Sequence, residues 1–126
     1  MHMIFDNDFD VHSITKQLGI APTECKSRDE TRISPLTNKP IEGFWTLKTE
    51  EKEERDLCVV LNELMENISA KLPDIKKICD ENGGKVVFDI VPFFDGNNKP
   101  ALYFERDFLD IVNYLNATIQ IDLYVR

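Results

Sequence analysis

The sequence predicts an α+β domain, a two-layer sandwich with a mostly antiparallel sheet and its helices packed on one face. Three observations carry that expectation. Apolar residues recur at every third or fourth position in some stretches and at every second in others, so helices and strands are mixed along one chain. Two apolar runs, KVVFDIVPFF and PALYFE, flank the turn-forming residues DGNNKP, which reads as an antiparallel hairpin. A chain of 126 residues, 42% hydrophobic, can bury enough surface to fold without a metal or a disulfide, as a single domain over residues 1–126.

The elements follow in order. HMIF is apolar and short, the end of a strand. FDVHSITKQLG is a helix with Asp10 as its N-cap, because a carboxylate there accepts an orphan backbone N–H and suits the positive end of the dipole. Phe9 and Ile14 then stand at the spacing of a hydrophobic staple, and Val11, Ile14 and Leu18 share one face. Gly19 closes the helix in a left-handed conformation, and Pro22 turns Ala21 toward extended backbone. From Cys25 to Gly43 the chain is polar and carries two prolines, which predicts a long loop or ragged hairpin, with residues 26–43 as the most mobile part. GFWTLKT alternates as a strand and carries the single Trp.

The acidic run EEKEER precedes the clearest helix, whose stripe is Leu57, Val60, Leu61, Leu64, Met65 and Ile68. A second helix starts near Pro73, ends at Gly83–Gly84 and buries Ile75, Ile78 and Cys79. KVVFDIVPFF is apolar on both faces and so central, although Pro92 implies a bulge or an exposed edge. PALYFE returns as the hairpin partner. ERDFLDIVNYLNA is a helix facing inward with Phe108, Ile111, Val112 and Leu115. TIQIDLYV is a last strand with Ile119, Ile121, Leu123 and Val125 on one side and Gln120, Asp122 and Tyr124 on the other. The final strand–helix–strand unit is expected to cross over right-handed.

The net charge of −8 argues against a general binder of nucleic acid, whose affinity rests on clustered Lys and Arg, and against an anionic membrane surface. It favours a basic partner. Three widely spaced cysteines, Cys25, Cys58 and Cys79, are no disulfide framework and fit a reducing compartment. No basic, apolar leader opens the sequence, and no apolar run is long enough to span a membrane, so the expected location is the cytoplasm.

Taken together and in order, FDVHSITKQLGIAPT, GFWTLKT, LCVVLNELMENI and YLNATIQIDLYV resemble a bacterial family of small proteins, domain-of-unknown-function family 4279. The resemblance spans nearly the whole chain. It implies a compact bacterial α+β domain and no particular reaction. By analogy, small acidic domains of this kind are similar to the immunity proteins of toxin systems.

Chemistry-bearing motifs are sparse. No CxxC, HxxxH or CxxH spacing supports zinc, DGNN lacks the closing acid of a calcium loop, and neither GxGxxG nor a Walker loop occurs, so no metal or cofactor is expected. A nucleophilic site would need His12 and Cys25 brought together, and the preferred reading is an exposed first-turn histidine and an ordinary strand or loop cysteine. Asp89 and Asp122 each interrupt an apolar strand. On neighbouring strands they could share a face and perturb each other, although polar-out positions of a half-exposed sheet are the plainer account. Trp45, Tyr103 and Tyr124 lie on expected strands. Trp45 is read as core first and as an interface anchor second, since a lone Trp is most often buried.

The resulting expectation is a non-enzymatic protein-binding module, in its most concrete form an immunity protein for a basic toxin. Its contacts would come from Trp45, Tyr103, Asp122 and Tyr124 on the open sheet face and from Arg28 and Asp29 in the loop. The alternatives are an enzyme or small-ligand protein using Asp89 and Asp122, and a homodimer joined through the sheet.

Overall fold

The structure, a computed structural model, describes residues 1–31, 33, 35–36, 41–50, 56–94 and 102–125. Within them the strands are β1 (His2–Phe5), β2 (Glu24–Lys26), β3 (Gly43–Thr46), β4 (Gly84–Ile90), β5 (Phe93–Phe94), β6 (Thr118–Ile121) and β7 (Tyr124–Val125). The helices are α1 (His12–Leu18), α2 (Leu57–Ile68), α3 (Leu72–Asn82) and α4 (Arg106–Tyr114), with short 3-10 turns at Arg28–Glu30 and Ser69–Lys71. Five strands form one sheet in the order β2-β3-β1-β4-β6. Every neighbouring pair is antiparallel except β4 and β6, which are parallel and joined through α4. This is the expected α+β sandwich. The short HMIF segment, however, is the middle strand rather than a ragged end.

The period-two pattern of each strand divides the sheet into two unlike faces. Met3 and Phe5 on β1, Trp45 on β3, and Val86, Phe88 and Ile90 on β4 are buried against the helices. They pack with Ile14 and Leu18 of α1, Leu61, Leu64 and Ile68 of α2, Ile75 and Ile78 of α3, and Phe108 of α4. Phe88 meets Phe108 edge-on, with ring centroids 5.1 Å apart at 74°, a favoured aromatic geometry. Trp45 is fully buried and donates its Nε1 hydrogen to Thr15 Oγ1 at 3.1 Å, so its one polar atom is satisfied inside the core.

Local signals set the helix ends. Asp10 Oδ1 accepts from the His12 backbone N–H at 3.1 Å, while the N-cap position of α1 falls to Val11, one residue later than expected. Gly19 takes φ 67° and Gly83 takes φ 69°, each closing a helix. Gly84 does something different. A Cβ there would lie 2.5 Å from the Phe5 ring, so its bare backbone is what lets β1 and β4 pair with Phe5 filling the core between them.

Two expectations are corrected. Residues 102–105 of PALYFE form no strand, and β5 instead pairs in parallel with β7 in a separate two-stranded sheet. The final strand is not continuous. β6 ends at Ile121, two residues break the ladder, and β7 follows, leaving Ile121 and Leu123 exposed. Of the expected inner face of TIQIDLYV, Ile119 packs against the core while Ile121 and Leu123 do not. Residues 51–55 of EEKEER, the DGNNKP turn, and residues 32, 34 and 37–40 of the loop lie outside the described residues.

Candidate functional site

The face of the sheet away from the helices is concave, and a cavity of about 590 Å³ lies over it. Strand register builds its floor. His2, Thr46 and Val87 stand side by side across β1, β3 and β4, and Ile4 stands beside Phe44. Asp89 and Gln120 pair with each other in the next row of that face, between β4 and β6. Glu24, Lys26, Glu42 and Lys48 ring this floor with charge, and Thr31 and Ile41 close one side. The result is an apolar strip of Ile4, Phe44 and Val87 beside a polar corner.

That corner is a connected group. His2 Nδ1 lies 2.7 Å from Thr46 Oγ1, and its Nε2 is 3.7 Å from Asp89 Oδ2. Burial first, then the chain's terminal amine, lowers the His2 pKa, with Asp89 opposing. Asp89 is pushed the other way. Burial, and then the hydrogen bond and charge of Asp122, raise its carboxyl pKa, with His2 opposing. Both shifts oppose the charged forms that an ion pair between His2 and Asp89 would need. Asp122 follows directly after β6. Its backbone N–H donates to Ile90 O at 2.9 Å, and its Oδ2 accepts from Gln120 Nε2 at 3.3 Å. The two carboxylates do share one side of the sheet, as their strand positions allowed. Asp89 Oδ1 is buried without a hydrogen-bond partner, the single such side-chain atom among the described residues.

The expected contact residues scatter. Trp45 faces the core and is no anchor on the open face, because its register position on β3 points to the helices. Tyr103 lies in the coil before α4 and donates its hydroxyl to Asp56 Oδ2 at 3.2 Å, at the start of α2. Tyr124 lies on β7, outside the five-stranded sheet. Asp122 alone of the four belongs to the polar corner. Arg28 and Asp29 sit in the 3-10 turn, where Arg28 Nη1 approaches Asp8 Oδ1 at 3.9 Å.

Sequence reasoning missed His2, Thr46 and Gln120. His2 lay in a segment too short to show which way it faced, whereas Gln120 was already marked polar-out by alternation. Among the described residues no group of three or more His, Cys, Asp and Glu has metal-binding geometry, and no helix is long and apolar enough to cross a membrane.

The chain belongs to the family described as Domain of unknown function (DUF4279), whose model matches residues 3–126, as the order of its segments implied. No curated protein and no solved structure matches it.

Proposed function

We propose that this bacterial, cytoplasmic domain is a protein-binding module that takes a basic segment of its partner into the concave sheet face, and that the face itself binds without performing chemistry. The observation that carries this reading is Asp89 Oδ1. A buried acceptor without a donor is costly, and a guanidinium or ammonium entering from the cavity would supply that donor. The cation would also stabilise Asp89 in its ionised form, which offsets the like-charge penalty it meets from Asp122. The chain's net charge of −8 would steer such a partner inward, and neutralising a basic toxin is the most concrete role for it.

The test is an NMR titration with a short arginine-containing peptide and with the same peptide carrying citrulline. Arginine should move the amide signals of β4 and β6, citrulline should not, and Asp89→Asn should abolish the difference. Equal responses to the two peptides would exclude the reading.

A second reading rests on the same pair of acids. A carboxyl whose pKa is raised by burial and then by a neighbouring carboxylate is also what general acid–base chemistry on a small ligand uses. It would require turnover of a ligand held over Asp89, abolished by Asp89→Asn and by Asp122→Asn alike.

A further inference from the structure

On the helix side of the β2 edge, three side chains distant in sequence form a line of contacts. His12, in the first turn of α1, holds Nδ1 3.7 Å from Cys25 Sγ and Nε2 2.5 Å from Glu30 Oε1. Both partners of the imidazole are fixed locally. Glu30 closes a capping box, its Oε1 also accepting from the Ser27 backbone N–H at 2.9 Å, and Cys25 sits on β2 opposite Trp45. With Nε2 donating to Glu30, a neutral His12 presents the Nδ1 lone pair to the thiol. Thiol, imidazole and carboxylate then stand in the order of a nucleophile, its base and the group that orients the base. The His12 and Glu30 side chains are about half exposed, at 51% and 47%, so the line is open to solvent. Cys58 and Cys79 are buried in the core.

We propose that Cys25, His12 and Glu30 form an acyl-transfer site that hydrolyses ester or thioester substrates, an activity separate from binding on the open sheet face. Cys25 Sγ bonds to the acyl carbon while its proton passes to His12 Nδ1. The C–O or C–S bond to the leaving group breaks, and the leaving group takes that proton and departs as an alcohol or thiol. Water then attacks the S-acyl carbon and gives a proton to His12 Nδ1. The acyl C–S bond breaks, Cys25 recovers the proton, and a carboxylic acid is released. The net reaction is hydrolysis, with no oxidant or reductant.

The electrostatics fit a proton that moves during attack. Burial first, then Glu30 and Asp10, push the Cys25 thiol up, so its resting form is the thiol and not the thiolate. The Glu30 hydrogen bond first, helped by the charges of Glu30, Asp10 and Asp29, raises the His12 pKa against desolvation, which is the second-largest influence. The acids around the site are thus Asp10, Asp29 and Glu30. The base form of His12 accumulates only above its raised pKa, so the rate should climb with pH through a value above that of an ordinary imidazole.

The test supplies the whole chain with para-nitrophenyl acetate and with an acetyl thioester of N-acetylcysteamine. Leaving-group release is followed by absorbance and acylation by peptide mass spectrometry. One acetyl group should appear on Cys25, none on Cys58 or Cys79, and turnover should vanish in Cys25→Ser. His12→Gln should slow acylation about 100-fold at an unchanged melting temperature. Glu30→Gln should move the rising limb of the pH–rate profile downward, a response that a merely structural role for Glu30 would not give. The proposal is overturned by acetylation of Cys25 that is as fast in the urea-unfolded chain or in His12→Gln, by a stable acetyl-Cys25 without turnover, or by identical pH profiles for wild type and Glu30→Gln.

Discussion

The two faces of the five-stranded sheet are made by the same strands and obey opposite rules. On β4, Val86, Phe88 and Ile90 are sealed under helices, while Val87 and Asp89, one position along, face a cavity. The covered face is buried, and its Trp45 Nε1 has a partner in Thr15. The uncovered face keeps a buried oxygen unsatisfied, an imidazole held toward neutrality and, in Asp89, an acid whose pKa is raised by burial and then by Asp122. Stability is concentrated on one side and unsettled polar chemistry on the other. Unsatisfied polar groups of this kind are where a ligand gains most.

The sharpest way to break that contrast is to truncate matched residues on β3. Trp45→Ala should cost about 3–5 kcal/mol, because it removes a fully buried indole and leaves a cavity. Phe44→Ala, one residue away on the open face, should cost far less and instead weaken binding in the cavity. Urea unfolding of the two variants checks this, and equal losses would mean that the faces are not energetically distinct.

A smaller effect is expected at Gly84. Gly84→Ala should destabilise by about 1–3 kcal/mol, since the new Cβ must displace the Phe5 ring from a closed core. A neutral result in the same unfolding assay would show that β1 and β4 can part without cost.

The smallest effect is the most informative about the open face. Asp89 has a raised pKa in the folded chain, so between the ordinary carboxylate range and that raised value the native state binds the extra proton. Its contribution to stability is full below the unfolded pKa and is lost as pH rises through the folded one. His2, with a lowered pKa, works in the opposite sense, so the comparison with Asp122→Asn isolates the acid pair. Removing Asp122 should flatten the decline in melting temperature with rising pH from about pH 4 upward. A slope unchanged in Asp122→Asn would separate the two carboxylates.

Much of the covered half was legible in the chain. The Asp10 carboxylate holding the His12 N–H at the start of α1, the Gly19 and Gly83 stops and the stripe through Leu61, Leu64 and Ile68 are local features, set by residues within a turn or two of one another. The misreadings were non-local. PALYFE had the apolar run of a strand after a turn, but strand existence depends on a neighbour, and β5 pairs with β7 instead. TIQIDLYV alternated cleanly along its length, yet Ile119 packs against the core while Ile121 and Leu123 stay exposed. His12 and Cys25 carried no motif between them, and Glu30 carried none with either.

What the sequence determined by itself was the class of fold, the helix boundaries, the acidic surface and most of the core, because periodicity and capping act between near neighbours. Tertiary structure alone decided which side of each strand is covered, that Asp89 and Asp122 meet, and that His12 stands between Cys25 and Glu30. Those juxtapositions depend on strand order and register across the sheet, and no residue's immediate neighbours along the chain encode them.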